Sequence, residues 1–91
     1  MKEKKITDNI KKQVHDVVAR TFVSINGDID DNWGPEQISD WDSLNHLNLV
    51  MAIGEEFEIS LEFEEVLSIE KIKDIYTIIK KRGIEWKILY S

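Results

Sequence analysis

The apolar residues of the chain fall into three stretches in which they recur every three or four positions, the spacing that places them on one side of an α-helix. The first stretch predicts a helix over residues 6–23, and the second predicts a helix over residues 43–57. In the second helix the apolar residues that we place on this face are Leu44, Leu47, Val50, Met51 and Phe57. The third stretch, residues 72–82, ends on three basic residues before Gly83, which is a typical helix end.

Between the first two predicted helices lies a connection of about eighteen residues, 24–41, which is long for a compact domain. We expect Ile29, Trp33 and Ile38 to hold this loop against the helices, with a helical turn at residues 35–38. Asp42 is a good N-cap, so Ser43 should stand in the first turn of the second helix.

Residues 63–67 predict one more helix, too short to persist without packing. The predicted fold is therefore all-α: a four-helix bundle with a long first loop and a short third helix. The apolar faces of helices one, two and four should supply its core. The length of the chain indicates one domain over residues 1–91. In the tail, residues 84–91, apolar and polar positions alternate, so we expect an extended segment that lies on the bundle and docks through Trp86. A frayed end is the simpler alternative.

Charge is divided sharply along the chain, although the net charge is only −6. Residues 21–70 contain thirteen acidic side chains and no Lys or Arg. Such a field opposes nucleic-acid binding and attracts a basic protein partner. An acidic face that only keeps the domain soluble is the simpler alternative.

Several classes of function lose support from the composition. The absence of cysteine excludes disulfides and thiolate metal sites. No apolar run approaches the ~20 residues of a membrane span, and the first residues lack the apolar region of a signal peptide, so we expect a monomeric cytoplasmic protein without membrane insertion. Asp28, Asp30 and Asn32 suggest a calcium loop, but Trp33 and Ser39 occupy the positions where an EF-hand needs Gly and Glu, so we predict no metal site.

The Asp42-Ser43-Leu44 tripeptide is the strongest candidate for chemistry. A serine at a helix start projects into solvent, where another enzyme could modify it. A catalytic role is not supported, because a Gly-x-Ser-x-Gly motif is absent and His46 has no evident orienting acid.

In its context this tripeptide resembles the mark of the acyl carrier protein family, Asp-Ser-Leu at the start of the second helix of a four-helix bundle. The resemblance covers about residues 6–82 and extends to Leu-Asn-Leu-Val-Met-Ala-Ile at 47–53 and Glu-Glu-Phe-Glu-Ile at 55–59. It implies that Ser43 carries a 4′-phosphopantetheine arm and that the protein is a carrier rather than an enzyme. The implied partners are a phosphopantetheinyl transferase and acyl-loading and acyl-transfer enzymes with basic docking patches.

The resemblance also suggests which residues contact those enzymes: Asp42, Leu44, Asn45, His46, Asn48, Glu55 and Glu56. Many fatty-acid carriers have acidic residues where this chain has Asn45, Asn48 and Gly54. This departure favours a specialised carrier, for modification of a polysaccharide, an amino acid or a secondary metabolite. Gly54 is open to two interpretations, a neutral surface position or a point of close approach for a partner backbone.

An acyl chain would lie between the second and third helices in a protein of this kind. The residues that we expect to line such a site are Leu47, Met51, Val66 and Ile72, each of which is equally well explained as part of the ordinary core. The alternative function is an unmodified acidic helical module that binds other proteins, with the same bundle and a free Ser43.

Overall fold

The computed structural model describes residues 6–83, and this part of the chain contains four α-helices and no strand. In chain order they are α1 (Asp8–Thr21), α2 (Ser43–Phe57), α3 (Phe63–Ser68) and α4 (Ile72–Arg82). The prediction of a small all-helical bundle is confirmed. The bounds of α2 agree with the predicted 43–57, whereas α1 is two residues shorter at each end than the predicted 6–23. The tail, including Trp86, lies outside the described residues.

Local capping sets the two ends of α1. Thr7 has an extended backbone, and its hydroxyl accepts a hydrogen bond from the Ile10 N–H at 3.2 Å. This bond satisfies one of the free N–H groups of the first turn. After Thr21 the backbone becomes extended at Phe22, whose buried ring stacks on Trp41 with 4.9 Å between ring centroids. The start and the end of the long loop therefore meet in the core.

The core joins α1, α2 and α4 with parts of the long loop. Its fully buried side chains are Phe22, Ile10, Ile38, Leu49, Ile53, Ile72, Ile75, Ile79, Val14, Val17 and Val18. Ile38 is among them, and Ile29 and Trp33 pack against the core while partly buried, so the predicted attachment of the loop is confirmed. The expected turn near Pro35 is present, with Ile38 N–H donating to the Gly34 carbonyl at 3.0 Å, but it does not continue into a helix.

The sequence predicted the wrong buried face for α2. Leu44, Leu47 and Met51 are exposed, whereas the helix is buried through Leu49, Ile53 and Phe57, of which only Phe57 belonged to the predicted face. At 3.6 residues per turn these two sets lie on roughly opposite sides of the helix. Because α2 carries apolar residues on both sides, its spacing alone could not decide which side packs against α1.

The N-terminus of α4 is capped by tertiary contacts, because Lys71, at the N-cap position, has no acceptor to offer. Ile72 N–H donates to the Trp33 carbonyl at 3.0 Å, and Lys73 N–H donates to the Asp31 carbonyl at 2.8 Å. The long loop therefore accepts hydrogen bonds that a Ser or Thr cap would otherwise receive. In addition, the Asp74 carboxylate accepts from the backbone N–H groups of residues 70 and 71.

A second contact of the same loop joins α1 to α4. The Asp31 carboxylate accepts from the Tyr76 hydroxyl at 2.9 Å and bonds the His15 Nε2 at 2.8 Å through the same oxygen. Burial, and then the nearby Asp31 carboxylate, raise the pKa of Tyr76. The His15 ring is partly buried in this contact.

Glu65 attaches the short helix α3 to α4. One carboxylate oxygen accepts from the Glu62 N–H at 2.8 Å and caps the start of α3. The carboxylate also pairs with Arg82 at 2.5 Å and with Lys81 at 3.9 Å. The hydrogen bond from Arg82 is the main cause that lowers the pKa of Glu65, followed by the backbone hydrogen bond from Glu62.

This lowered pKa predicts an acid-sensitive contribution to stability. Because Glu65 binds its proton less readily in the folded state, its contribution is complete above its ordinary pKa of 4.5 and is lost as the pH falls through the lower folded value. Glu65→Gln should therefore be less stable than the wild type at neutral pH, and the difference should narrow below about pH 4.5. Urea unfolding at a series of pH values measures this difference. Glu36→Gln, at an exposed loop position, is the control, and a difference for Glu65→Gln that stays constant with pH would contradict the assignment.

Candidate functional site

Ser43 is the first residue of α2, and the end of the long loop holds it in place. The Asp42 backbone is extended, and its carboxylate accepts a hydrogen bond from the Asn45 N–H at 2.8 Å, so the predicted N-cap is confirmed. The Asp42 carbonyl accepts from the His46 N–H, also at 2.8 Å, which closes the first turn of the helix. Ser43 itself is exposed, and its hydroxyl has no hydrogen-bond partner among residues 6–83.

The electrostatics around Ser43 combine two opposing effects. The first N–H groups of a helix lack partners within the helix, and the helix dipole favours an anion at this end. No acidic residue stands within the first turn of α2, although the Asp42 carboxylate at the N-cap already accepts one of these N–H groups, that of Asn45. The exposed Asp42 carboxylate, immediately before the helix, acts against this preference by charge repulsion.

Ser43 stands at the rim of an open, mainly apolar cleft of about 550 Å³ between α2 and α3. The other lining residues are Pro35, Trp41, Asp42, His46, Leu47, Phe63, Val66 and Leu67. The volume lies within the range of small-molecule sites, ~300–1,000 Å³. The cleft could therefore hold a chain of apolar atoms that begins near the Ser43 hydroxyl.

The outer walls of this cleft are exposed apolar side chains. On α3, Phe63 is 74% exposed, and on α2, Leu47 is 53% exposed. Leu44 and Met51 lie one turn before and after Leu47 on the same side of α2, and both are also exposed. An apolar patch of this kind beside a polar helix start is typical of a surface that is covered by a ligand or by another protein.

The predicted acyl-chain lining agrees with the structure only in part. Leu47 and Val66 line the cleft beside Ser43, whereas Met51 lines a neighbouring depression with Gly54. Ile72 does not line the cleft and is fully buried, which agrees with the alternative that it belongs to the core. The sequence interpretation missed two residues that line the cleft, Phe63 and Leu67. They stand three residues before and one residue after Val66, so the spacing of one helix face could have identified them.

His46, one of the residues predicted to contact partner enzymes, makes contacts within the fold itself. The ring is partly buried, and both of its nitrogens have partners: Nδ1 bonds the Trp41 Nε1 at 3.0 Å and Nε2 bonds the Val66 carbonyl at 2.9 Å. Neither nitrogen is left to activate the Ser43 hydroxyl. The spacing of residues within a helix could not have predicted these contacts. One joins His46 to Trp41 in the loop before α2, and the other joins it to Val66 in α3.

The remaining residues predicted to contact partners divide into exposed and engaged positions. Leu44, Asn48 and Glu55 are exposed. The Asn45 side chain is partly buried and donates to the Asp40 carbonyl at 2.8 Å. Glu56 faces α1, where its carboxylate accepts from Gln13 at 3.2 Å and lies 3.5 Å from Arg20.

Gly54 fits neither interpretation that the sequence left open. A Cβ atom at this position would lie 2.8 Å from the Ile59 carbonyl oxygen, much closer than real Cβ contacts. The Ile59 N–H also donates to the Gly54 carbonyl at 2.9 Å, after Glu58 reverses the chain in the left-handed conformation. Gly54 therefore admits the protein's own backbone, not that of a partner.

Some carboxylates of the acidic block, residues 21–70, form hydrogen bonds within the fold. Asp31, Asp40, Glu56 and Glu65 all accept hydrogen bonds from other parts of the described chain. The hydrogen bond from the Ser24 hydroxyl is the main cause that lowers the pKa of Asp40. Asp42, which lines the cleft, keeps an exposed carboxylate, as do Glu55 on α2, Glu62 just before α3 and Glu64 on α3.

No family model, no curated protein and no solved structure matches this chain. Among residues 6–83, no group of three or more His, Asp and Glu side chains is placed to hold a metal ion. In the same part of the chain, none of the helices has the length and apolar character needed to cross a bilayer. The geometry around Ser43 is therefore the basis for a functional assignment.

Proposed function

We propose that this protein is an acyl carrier protein in which Ser43 bears a 4′-phosphopantetheine arm donated by coenzyme A. The observation that carries the proposal is the position of Ser43. Its exposed hydroxyl is fixed by the Asp42 cap on the first turn of α2, at the rim of an apolar cleft. A carrier requires such a hydroxyl, which a transferase can reach and which moves little relative to the fold.

The residues near Ser43 fit the chemistry of the arm. When bound, the arm supplies a thiol that holds an acyl group as a thioester. The free N–H groups at the start of α2 favour the phosphate of the arm, and Asp42 serves mainly to cap the helix and to mark the site for a transferase. His46 takes no part in activating Ser43, so the hydroxyl depends on an external enzyme for its modification.

The cleft between α2 and α3 suits the acyl group. Leu47, Phe63 and Leu67 present apolar surface to solvent, and covering this surface would be favourable by about 25 cal/mol per Å² of apolar area. An acyl chain that starts at the end of the arm and folds back would cover part of it. We therefore assign the cleft to the cargo, and the exposed carboxylates of Asp42, Glu55, Glu62 and Glu64 to contacts with basic partner enzymes.

The nature of the α2 surface bears on the type of carrier. The exposed Asn48 contributes no charge where many fatty-acid carriers have an acid, which favours a specialised pathway rather than a housekeeping fatty acid synthase. Gly54 does not bear on this question, because the close approach of Ile59 already accounts for it.

Intact mass after reaction tests the proposal. Incubation with coenzyme A and a broad-specificity phosphopantetheinyl transferase should add one arm to the wild-type protein, and Ser43→Ala should add none. Ser60→Ala is the matched control, because Ser60 is also exposed and follows α2 in the chain. The circular dichroism of Ser43→Ala should remain that of the wild type. A mass gain that survives Ser43→Ala, or no gain with several transferases, would overturn the proposal.

An unmodified acidic module that binds other proteins is the second candidate. The exposed apolar side chains of Leu44, Leu47 and Met51 favour it, since a partner helix could cover them without any arm. The mass experiment separates the two candidates, because only the carrier is modified.

A further inference from the structure

His46 connects three separate parts of the chain directly behind Ser43. Its backbone N–H belongs to the first turn of α2, its Nδ1 bonds Trp41 at the end of the long loop, and its Nε2 bonds the Val66 carbonyl in α3. The Trp41 ring is itself buried and stacked on Phe22, so this end of the link is anchored in the core. The other end holds a short helix at the surface.

These two hydrogen bonds require one form of the imidazole ring. The indole Nε1 of Trp41 can only donate, so the His46 Nδ1 must accept and carries no proton. The Val66 carbonyl can only accept, so the proton is on Nε2. Only a side chain with one acceptor and one donor at these places can make both bonds, and a carboxamide is the nearest substitute.

The residues that His46 links are also walls of the cleft. Trp41, His46 and Val66 all line the space beside Ser43. The α3 helix has six residues, too few to be stable without tertiary contacts. Glu65 attaches α3 to α4, whereas His46 attaches it to α2 across the cleft. Loss of the His46 bond would therefore release the side of α3 that determines how far the cleft opens.

We propose that His46 is a positioning residue that sets the width of the cleft beside Ser43 and thereby the protection of the cargo. The clamp that it forms between Trp41 and Val66 keeps α3 close to α2, so that an acyl chain in the cleft is shielded from water. For its cargo this inference rests on the proposed carrier function, whereas the clamp itself can be tested on the unmodified protein.

Hydrolysis of the loaded thioester is the first test. The arm on Ser43 is loaded with an octanoyl group in one sample and with an acetyl group in another, the latter being too short to occupy the cleft. The octanoyl thioester should hydrolyse about two- to tenfold faster on His46→Ala than on the wild type, the range expected from loss of the one hydrogen bond that holds α3. The acetyl thioester should hydrolyse at the same rate in both proteins. This dependence on chain length would not arise from a general loss of stability.

Two further variants test the hydrogen bonds themselves. His46→Gln offers one acceptor and one donor and should restore most of the octanoyl protection. Trp41→Phe retains a ring in the core but removes the indole donor, so it should lose part of the octanoyl protection. This variant tests the clamp independently if His46→Ala does not fold. Equal octanoyl hydrolysis in every folded variant, or equal acceleration of both thioesters, would overturn the inference. The same conclusion follows if His46→Gln behaves as His46→Ala does.

Binding of a neutral apolar dye separates this inference from the carrier proposal. If the wild-type protein accepts no arm, the carrier function fails, but N-phenyl-1-naphthylamine can still enter the cleft of the unmodified protein. A dye affinity that changes about two- to tenfold in His46→Ala and returns in His46→Gln would support the clamp. The same dye affinity in all three proteins would refute it.

Discussion

Replacing Ile75 with alanine should destabilise the protein by about 2–5 kcal/mol, the range for truncating a buried isoleucine. Ile75 is 0% exposed and belongs to the face of α4 that enters the core. Its removal would leave a cavity in a domain of this size, whose total stability is on the order of 5–15 kcal/mol. Urea unfolding followed by circular dichroism measures the loss, and partial unfolding at room temperature would be consistent with it.

Leu47→Ala is the matched control for this prediction. The spacing of apolar residues places Leu47 on a helix face as regular as that of Ile75, yet its side chain is 53% exposed beside the cleft. Its truncation should change the free energy of unfolding by no more than about 0.5 kcal/mol, as ordinary surface changes do. Similar losses of unfolding free energy for the two variants would show that Leu47 is buried and that α2 packs through another face.

Replacing Gly54 with glutamate should destabilise the protein, because overpacking costs about 1–3 kcal/mol, more than any gain in helix propensity. The new Cβ would lie 2.8 Å from the Ile59 carbonyl oxygen, which belongs to the backbone and cannot move without disturbing the turn after α2. The better helix propensity of glutamate offsets this cost by up to about 1 kcal/mol. Urea unfolding again measures the net effect.

Asn48→Glu is the control for the effect of charge alone. Asn48 is exposed on the same helix, so an acid there should change stability by no more than about 0.5 kcal/mol. If Gly54→Glu were equally mild, the close approach of Ile59 would not explain the glycine. The comparison also matters for function, because it identifies Asn48 as the position where an acid can be added to test exchange with a fatty-acid enzyme without disturbing the fold.

The sequence by itself determined the features that depend on neighbouring residues. The bounds of α2, the Asp42 cap and the buried face of α4 all follow from spacing and from capping chemistry, which act over one or two turns. The position of Ser43 at a helix start follows for the same reason. The candidate site was therefore found from a short stretch of chain.

The tertiary structure decided whatever depends on residues that are distant in the chain. The α2 helix is apolar on two sides, and only packing against α1 selected Leu49 and Ile53 for burial and left Leu47 at the cleft. The histidine contacts are of the same kind, since His46 reaches Val66 in α3 and His15 reaches Asp31 in the long loop. A hydrogen bond between distant residues leaves no periodic signal in the sequence, because its partners meet only after the helices have packed.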